Sequence, residues 1–401
     1  MTAHTIAYRQ WAGQSFADGA FNGAALTSDG VVIADPIGIR IYSDPRPDRP
    51  ATDYEFATWS SPETTVPGGA AEVVPSWNAV TPPGTWIEIA LEVANGPNRR
   101  MYVMGQWAET TDDMQRTTVP SPSDRFAVIE FDVLKAAAGR AIDSWHLHFT
   151  LLRRRGSDAT PTLSLAGAVA SAPDPAAAAE APDEVGAEDA REAWGVELDV
   201  PPYSQTLHRG EYPEFSGGGE AWCSPASTAM VMTFHRLGPQ PDVYAWIESK
   251  CEQPWVDYAA ASMYDPAFRG AGNWPFNVAY AARFGLTAFV TRLRGMEDLE
   301  AFIVAGLPLV ASVTFTADEL TGAGYGTAGH LFVVCGLTSD GDVIVNDPAS
   351  HQVASNDEVR TVYRRNEFER AWLGGSGGIV YVLHPPDHPL PPRPSDQPAR
   401  W

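Results

Sequence analysis

The chain of 401 residues is long enough for two or three domains, and its 44% hydrophobic and 19% charged residues are typical of globular folding. Its 27 basic and 50 acidic side chains give a formal net charge of −23. Nucleic-acid binding needs clustered lysine and arginine that neutralise phosphates, so this balance argues against a nucleic-acid partner. The basic run at residues 153–155 is short and is interpreted as a solvated strand end.

The cysteines indicate reduced thiols rather than a disulfide framework. Cys223, Cys251 and Cys335 cannot all pair within one chain, and no CxxC spacing is present. The first residues lack the basic and apolar regions of a signal peptide, and no apolar run approaches the roughly 20 residues that span a bilayer. These features predict a chain without a membrane span that is cytoplasmic as written, with export by another route left open.

Residues 1–170 have the pattern of an all-β domain. Short β-branched and aromatic segments, several of them alternating apolar and polar residues, are separated by clusters of Pro, Gly, Asp and Asn. The predicted strands are residues 31–34, 86–93, 101–104, 126–133 and 145–151. A β-sandwich is the expected closed arrangement of such strands.

Aromatic and histidine side chains of this domain raise two functional alternatives. The tryptophans could form a platform for glycan or cell-wall material, although core packing is the more common role. They are Trp11, Trp59, Trp77, Trp86, Trp107 and Trp145. His146 and His148 share one face of a predicted strand and could bind a metal. Because no third ligand is evident, an ordinary strand face is expected instead.

Residues 171–198 predict a solvated linker, because they are rich in Ala, Pro, Asp and Glu and contain few large apolar side chains. A second domain is assigned to residues 199–385, followed by a Pro-rich tail at 386–401 that is expected to be extended. The predicted helices of the second domain are one that follows Cys223, one at 278–284 and one at 296–305. Its predicted strands are 307–315, 330–336, 342–346, 360–363 and 378–383. Helices followed by antiparallel strands are an α+β pattern.

Cys223 is the candidate nucleophile of the second domain. It opens a predicted helix, and the macrodipole and unpaired N–H groups of a first helical turn favour thiolate over thiol. The helix carries one apolar stripe for a core, formed by Ala226, Met230, Phe234 and Leu237. Two other cysteines fit different roles: Cys335 lies in an apolar strand and is expected to be structural, and Cys251 is interpreted as incidental.

Hydrolysis by a cysteine also needs an imidazole, a group that orients it and donors for the oxyanion. His330 and Asp347 are 347 − 330 = 17 residues apart, on two predicted strands joined by a turn at 339–342. If these strands are adjacent and antiparallel, the start of the first lies beside the end of the second, which permits an imidazole–carboxylate hydrogen bond. Gln205, upstream of the cysteine, can donate its side-chain amide to an oxyanion.

These residues resemble a known family. The region from about residue 200 to 385 is similar to the papain-like cysteine peptidases of the bacteriocin-processing type, the family numbered thirty-nine among cysteine peptidases, in its "-like" branch. The resemblance depends on four motifs: VPPYSQ at 200–205, WCSP at 222–225, GHL at 329–331 and VNDP at 345–348. The resemblance implies Cys223 as nucleophile, His330 as general base and acid, Asp347 as orienter and Gln205 as oxyanion donor. It implies a peptide or protein substrate and a thioester acyl-enzyme.

The chain departs from the family pattern in two places. Ser224 follows the cysteine where members commonly have glycine, and Gln205 precedes Cys223 by 223 − 205 = 18 residues, a longer gap than the papain-type arrangement. The glycine-rich insert at 216–219 could loop out and absorb the extra length. The resemblance covers under half of the chain and is not expected to extend to the N-terminal domain.

Trp222, Asn273 and Trp274 are the candidate substrate-binding residues. Trp222 adjoins the nucleophile, and the run 270–277 places polar and aromatic residues between helices, although a structural loop that packs Trp274 is the alternative. The glycine-rich segment 321–326 predicts a mobile flap near the histidine.

The function predicted from these residues is hydrolysis of peptide or related amide bonds without a metal or organic cofactor. Two alternatives stay open. One is a transacylase or an amidase of cell-wall peptides on the same scaffold. The other is a non-catalytic protein that binds glycan or peptide.

Overall fold

The computed structural model describes residues 3–119, 124–174, 192–248, 252–392 and 399–401. The chain divides into two compact units. The N-terminal unit comprises Ala7–Ala172 with Asp265–Arg269, and the C-terminal unit comprises Pro173–Tyr264 and Gly270–Trp401 with Met1–Ile6. An N-terminal β domain therefore precedes a second domain that contains both helices and strands.

Antiparallel β-strands make up the first part of the chain. They are β1 (Ala3–Ala12), β2 (Ala20–Asn22), β3 (Ala24–Leu26), β4 (Val31–Ile33), β5 (Gly38–Tyr42), β6 (Thr52–Ser60), β7 (Thr64–Ala70), β8 (Glu72–Val80), β9 (Thr85–Asn95), β10 (Asn98–Trp107), β11 (Thr117–Thr118), β12 (Ala127–Glu130), β13 (Val133–Ala136), β14 (Ile142–Arg154) and β15 (Thr162–Asp174). One sheet has the order β12-β13-β8-β15-β4-β3, with β1 beside β15. The other has the order β11-β10-β9-β14-β6-β2, with β5 beside β6 and β7 beside β14. The predicted all-β character is confirmed.

The tryptophans of the N-terminal unit form its core. The six named above are each at most 1% exposed. Rings from the two sheets meet edge to face: Trp11 of β1 contacts Trp59 of β6, with 5.9 Å between centroids, and Trp77 of β8 contacts Trp107 of β10 at 6.2 Å. Because these rings are buried, they do not form the sugar-stacking platform that was one interpretation of the sequence.

The predicted strand at 126–133 is wrong, because the structure folds this segment into a hairpin. Strands β12 and β13 pair through Glu130 and Val133, so the chain reverses at the two residues between them. Phe131 has a φ of 57°, in the left-handed region that ends a strand. Apolar composition alone could not reveal this turn.

The C-terminal unit contains five α-helices and a six-stranded antiparallel sheet within the described residues. The helices are α1 (Cys223–Phe234), α2 (Pro254–Met263), α3 (Trp274–Ala282), α4 (Met296–Val304) and α5 (Arg365–Leu373). The strands are β16 (Thr287–Arg292), β17 (Leu309–Phe315), β18 (Thr327–Leu337), β19 (Val343–Asn346), β20 (Arg360–Tyr363) and β21 (Ile379–His384). Their order in the sheet is β16-β21-β17-β18-β19-β20.

Helix α1 lies in the interior rather than on a surface. All residues from 224 to 232 are buried, including polar ones, so the predicted single apolar stripe understates its burial. Polar side chains of α1 are satisfied by the sheet: Ser224 Oγ is hydrogen-bonded to Tyr381 Oη at 2.9 Å, and Ser227 Oγ donates to Leu331 O at 3.1 Å. These bonds fix the start of the helix against β21 and β18.

Several element boundaries differ from the sequence expectation. Helix α3 begins at Trp274, where Pro275 and the capping side chain of Asn273 stabilise its first turn. The sequence interpretation did not include α2, α5 or β16. In the predicted linker, residues 175–191 lie outside the described part of the chain, whereas residues 171–174 continue β15 and Trp194 forms a bridge to Leu337.

The end of the chain packs on the C-terminal unit. Trp401 is 1% exposed, and its ring lies 5.0 Å from that of Phe302 in α4. Arg400 forms an ion pair with Asp298 of the same helix at 3.0 Å. Residues 393–398 of the predicted tail lie outside the described residues. None of the described helices is long and apolar enough to cross a membrane.

Candidate active site

Cys223 is the first residue of α1 and is half-buried. Its position leaves the sulfur beside the unpaired backbone N–H groups of the first helical turn, which stabilise negative charge. Burial acts to raise the pKa of the Cys223 thiol, whereas the backbone groups of Leu331 and Ser224 act to lower it. Helix α1 contacts the strand that carries Leu331 through the hydrogen bond from Ser227, and the preceding residue of that strand is His330.

His330 lies on β18, where it pairs with Val313 of β17, and its side chain is buried. The ring Nε2 lies 2.8 Å from Asp347 Oδ1. The imidazole also interacts electrostatically with the Cys223 thiol, and each group shifts the pKa of the other. Because Nε2 is engaged with the carboxylate, Nδ1 is the ring nitrogen that remains for another partner.

Asp347 directly follows β19, the antiparallel neighbour of β18, as the spacing predicted. Its carboxylate is fully buried yet accepts hydrogen bonds from four groups. Besides His330, these are the backbone N–H of Ala349 at 3.0 Å, the Tyr325 hydroxyl at 2.8 Å and the Tyr363 hydroxyl at 2.6 Å. This number of donors stabilises the charged form of a buried carboxylate.

The two tyrosines are site residues that sequence reasoning missed. Tyr325 also touches the His330 ring edge to face, with centroids 5.6 Å apart, so it contacts two members of the constellation. Burial, followed by the charge of Asp347, raises the pKa of both the Tyr325 and the Tyr363 hydroxyl. Both tyrosines therefore remain proton donors to the carboxylate. The one sequence signal was a tyrosine within the glycine-rich segment before His330.

The ionisation of the three groups is strongly coupled. Burial acts to raise the pKa of the Cys223 thiol, but the charge of His330 and hydrogen bonds to its ring and the backbone bring that pKa below 9.0. Burial acts to lower the pKa of His330, but Asp347 and the thiolate raise it to about 10. Burial acts to raise the pKa of Asp347, but the imidazole and Tyr363 hold it below 3.8. The site thus favours thiolate, imidazolium and carboxylate.

Gln205 lies between the chain segments that carry Cys223 and Asp347. Its backbone N–H donates to Pro348 O at 2.9 Å, and its side-chain Nε2 donates to Glu220 O at 2.8 Å. A primary amide has two N–H groups, so the second remains for another acceptor. The glycine-rich insert permits this approach, because a Cβ on Gly219 would lie 2.3 Å from the Gln205 carbonyl oxygen.

Two of the three predicted substrate-binding residues are buried and hydrogen-bonded within the fold. Trp222 is fully buried, and its indole N–H donates to Phe215 O, so the ring presents no surface to a substrate. Asn273 is buried and accepts a hydrogen bond from the Phe276 N–H as the cap of α3. Trp274 is half-buried in the first turn of that helix. Asn273 therefore caps a helix, whereas a substrate contact of Trp274 stays a prediction.

The glycine-rich segment 321–326, predicted to be a mobile flap, is anchored at several points. Ala323 is buried, and its carbonyl accepts a hydrogen bond from the His351 N–H at 3.1 Å. The Thr321 N–H donates to Glu367 at 2.8 Å. The Tyr325 hydroxyl also donates a hydrogen bond to the buried carboxylate of Asp347. Such anchoring opposes opening of the segment as a unit.

Cys335 differs from Cys223 in its exposure to solvent and in the direction in which its surroundings shift the thiol pKa. It is fully buried in β18, and burial raises its pKa to about 12. Cys251 lies outside the described residues. On β14, His146 Nδ1 donates to the Ser61 carbonyl oxygen at 3.1 Å and His148 is hydrogen-bonded to Ser60 Oγ at 2.7 Å, which suits an ordinary strand face.

Comparison with protein families identifies both parts of the chain. Residues 197–378 match the Peptidase_C39 like family, and residues 7–171 match the family described as the Peptidase C39 N-terminal domain. The chain therefore carries a C39-like peptidase domain, as its motifs indicated. The C39-like match stops short of the N-terminal domain, as expected, and that domain matches a separate family model that the sequence motifs did not indicate.

Comparisons with individual proteins add little. No curated protein matches the chain. Among solved structures, TmCBM61 in complex with β-1,4-galactotriose has 11% identity and a TM-score of 0.18, covering 42% of this chain and 88% of that one. A second similar structure is that of the CBM22-1–GH10 modules of a Clostridium thermocellum endo-1,4-β-D-xylanase, complexed with xylohexaose. It has 9% identity and a TM-score of 0.18, and the match covers 51% of this chain and 33% of that one. Scores this low support no conclusion about ligands.

Proposed function

We propose that the chain is a cysteine peptidase that hydrolyses peptide or related amide bonds, with a β-sandwich followed by a papain-like α+β domain. The observation that carries the proposal is the continuous path from Cys223 through His330 to Asp347. A half-buried thiol at a helix start interacts electrostatically with an imidazole whose Nε2 lies 2.8 Å from a buried carboxylate oxygen. A merely structural cysteine needs none of these contacts.

The proposed reaction begins with attack of the Cys223 thiolate on the scissile carbonyl carbon. The carbonyl oxygen becomes an oxyanion, for which the Cys223 backbone N–H and the second amide N–H of Gln205 are the donors. The His330 imidazolium gives its Nδ1 proton to the leaving amine as the C–N bond breaks. The product is a thioester between Cys223 and the acyl part of the substrate.

Water then resolves the thioester. Neutral His330 takes a proton from water as the oxygen attacks the thioester carbonyl, and the C–S bond breaks to release the acid and the thiolate. This step restores the starting thiolate–imidazolium pair. Asp347 is the positioning residue in both steps, because its hydrogen bond fixes the ring orientation and its charge stabilises the imidazolium.

A peptide library incubated with the full chain tests this proposal. We expect cleaved products from the wild type and none from Cys223→Ala. Cys335→Ala is the matched control, because it removes a buried thiol that has no such partners and should retain cleavage. Product formation by Cys223→Ala at the wild-type rate would refute the proposal. An added amine acceptor in the same assay distinguishes hydrolysis from acyl transfer, since transfer products would grow with amine concentration.

A further inference from the structure

A second cluster of titratable side chains is formed by the segment that precedes Cys223 in the chain and by helix α2. His208 ends a 3-10 helix (Gln205–His208), Glu211 follows three residues later, and Asp257 lies in the first turn of α2. All three are buried, with exposed fractions of 0%, 6% and 0%. One ligand atom from each lies within 4.8 Å of the others, and it is the sole such group in the part of the chain that the structure describes.

The cluster brings two carboxyl groups together in the interior. His208 Nδ1 lies 3.0 Å from Asp257 Oδ2 and 3.4 Å from Glu211 Oε2. Asp257 Oδ1 is buried and has no hydrogen-bond partner. An unsatisfied buried carboxylate oxygen is costly, so its presence indicates a missing positive partner.

We propose that His208, Glu211 and Asp257 bind a divalent transition-metal cation, with Zn²⁺ the first candidate. Imidazole nitrogen and carboxylate oxygen are both ligands of Zn²⁺, at about 2.0–2.2 Å. A tetrahedral site with such bonds separates its ligand atoms by about 3.3 Å. The two distances from His208, 3.0 and 3.4 Å, lie on either side of that value, and the two carboxylate ligand atoms lie within 4.8 Å of each other.

The charges also match a divalent ion. A neutral imidazole and two ionised carboxylates carry a total of −2, which a divalent cation cancels. The groups come from separate segments, because His208 and Glu211 precede α1 whereas Asp257 belongs to α2. A bound ion therefore cross-links the 3-10 helix to α2 and acts as a structural site.

The ion would stabilise the surroundings of the nucleophile without touching substrate. The His208 ring packs against Trp222, with 5.8 Å between centroids, and Trp222 directly precedes Cys223. Gln205 begins the same 3-10 helix that His208 ends. Metal binding is thus expected to raise the stability of this region. The inference does not depend on the proposed peptidase activity.

The test uses the full chain without an affinity tag, in a Cys223→Ala background because thiolate and imidazole also bind Zn²⁺. The protein is produced in Zn²⁺-supplemented medium, and metal content is measured by mass spectrometry of the desalted chain. Thermal unfolding is then followed with chelator, Zn²⁺ or Mn²⁺. We expect one ion per chain and a Tm that rises with the ion and falls with chelator.

Ligand variants locate the ion. Glu211→Gln with Asp257→Asn should weaken Zn²⁺ binding by about 100-fold or more, since changes outside the ligand set already cost roughly 10–100-fold. Asp298→Asn is the matched control, because Asp298 is also a buried carboxylate in a first helical turn but pairs with Arg400. It should keep one ion per chain.

The parent chain is measured first, because loss of two buried carboxylates can prevent folding. A parent chain that retains no metal and whose Tm responds to neither ion overturns the proposal. Equal metal content in the double variant and its parent would also overturn it, since the ion would then lie elsewhere.

Discussion

The Tyr363 hydroxyl offers a sharp test of how the buried carboxylate is stabilised. It donates to Asp347 Oδ2 at 2.6 Å, and both residues are fully buried. A hydrogen bond to a charged group contributes about 1.5–3 kcal/mol, and Tyr363→Phe removes one oxygen atom without a large cavity. We therefore expect a loss of about 2 kcal/mol in the free energy of unfolding at pH 7.

The loss should depend on pH in a defined direction. The pKa of Asp347 is lowered in the folded chain, so its contribution to stability is present above the unfolded pKa of about 3.9 and is lost as pH falls through the folded value. Tyr363→Phe removes a donor to the charged form and raises that folded pKa. The difference between variant and wild type should therefore be full at pH 7 and shrink below about pH 4.

Urea denaturation at several pH values measures this difference. Tyr381→Phe is the control, because Tyr381 is equally buried but its hydroxyl is bonded to the neutral Ser224 hydroxyl at 2.9 Å. That variant should lose about 1 kcal/mol with little dependence on pH. The account of Asp347 would be refuted if Tyr363→Phe lowered the free energy of unfolding no more than Tyr381→Phe does, and equally at every pH.

Three further predictions concern catalysis. Gln205→Ala should lower kcat by about 10²–10³-fold with little change in KM, as measured on a cleaved peptide; an unchanged kcat would remove Gln205 from the oxyanion site. Asp347→Asn removes the charge that raises the pKa of His330 to about 10, so the alkaline limb of kcat/KM should move to lower pH; an unmoved limb would contradict this coupling. Trp222→Phe should lower stability by about 1–2 kcal/mol in urea denaturation while KM stays unchanged, whereas a raised KM would restore Trp222 as a substrate contact.

Much of the candidate site could be predicted because its signals are local. Cys223 opens a helix with an apolar run behind it, and the positions of His330 and Asp347 follow from two strands and the turn between them. The tyrosines could not be found in this way. The Tyr325 and Tyr363 hydroxyls reach Asp347 through the packing of segments on either side of it, and a buried tyrosine is otherwise a common core residue.

The fold was predictable where hydrophobic pattern and length agreed, and less so elsewhere. Strands β17 to β21 and helix α4 lie close to their predicted positions, because each is bounded by turn residues or begins with acidic ones. The hairpin β12–β13 was missed because its turn consists of Phe131 and Asp132, without the glycine that marks most tight turns. The cluster of His208, Glu211 and Asp257 depends on contacts between residues 46–49 positions apart, which no spacing rule predicts.

The reactivity of the Cys223 thiol tests the central claim most directly. The measurement is the rate of alkylation by iodoacetamide between pH 5 and pH 9, determined for the individual cysteine-containing peptides by mass spectrometry. A thiolate held by His330 should react quickly at pH values well below 9.0, far faster than buried Cys335, and His330→Gln should move this reactivity to higher pH. Alkylation of Cys223 that begins only near pH 9 and is unaffected by His330→Gln would contradict the account.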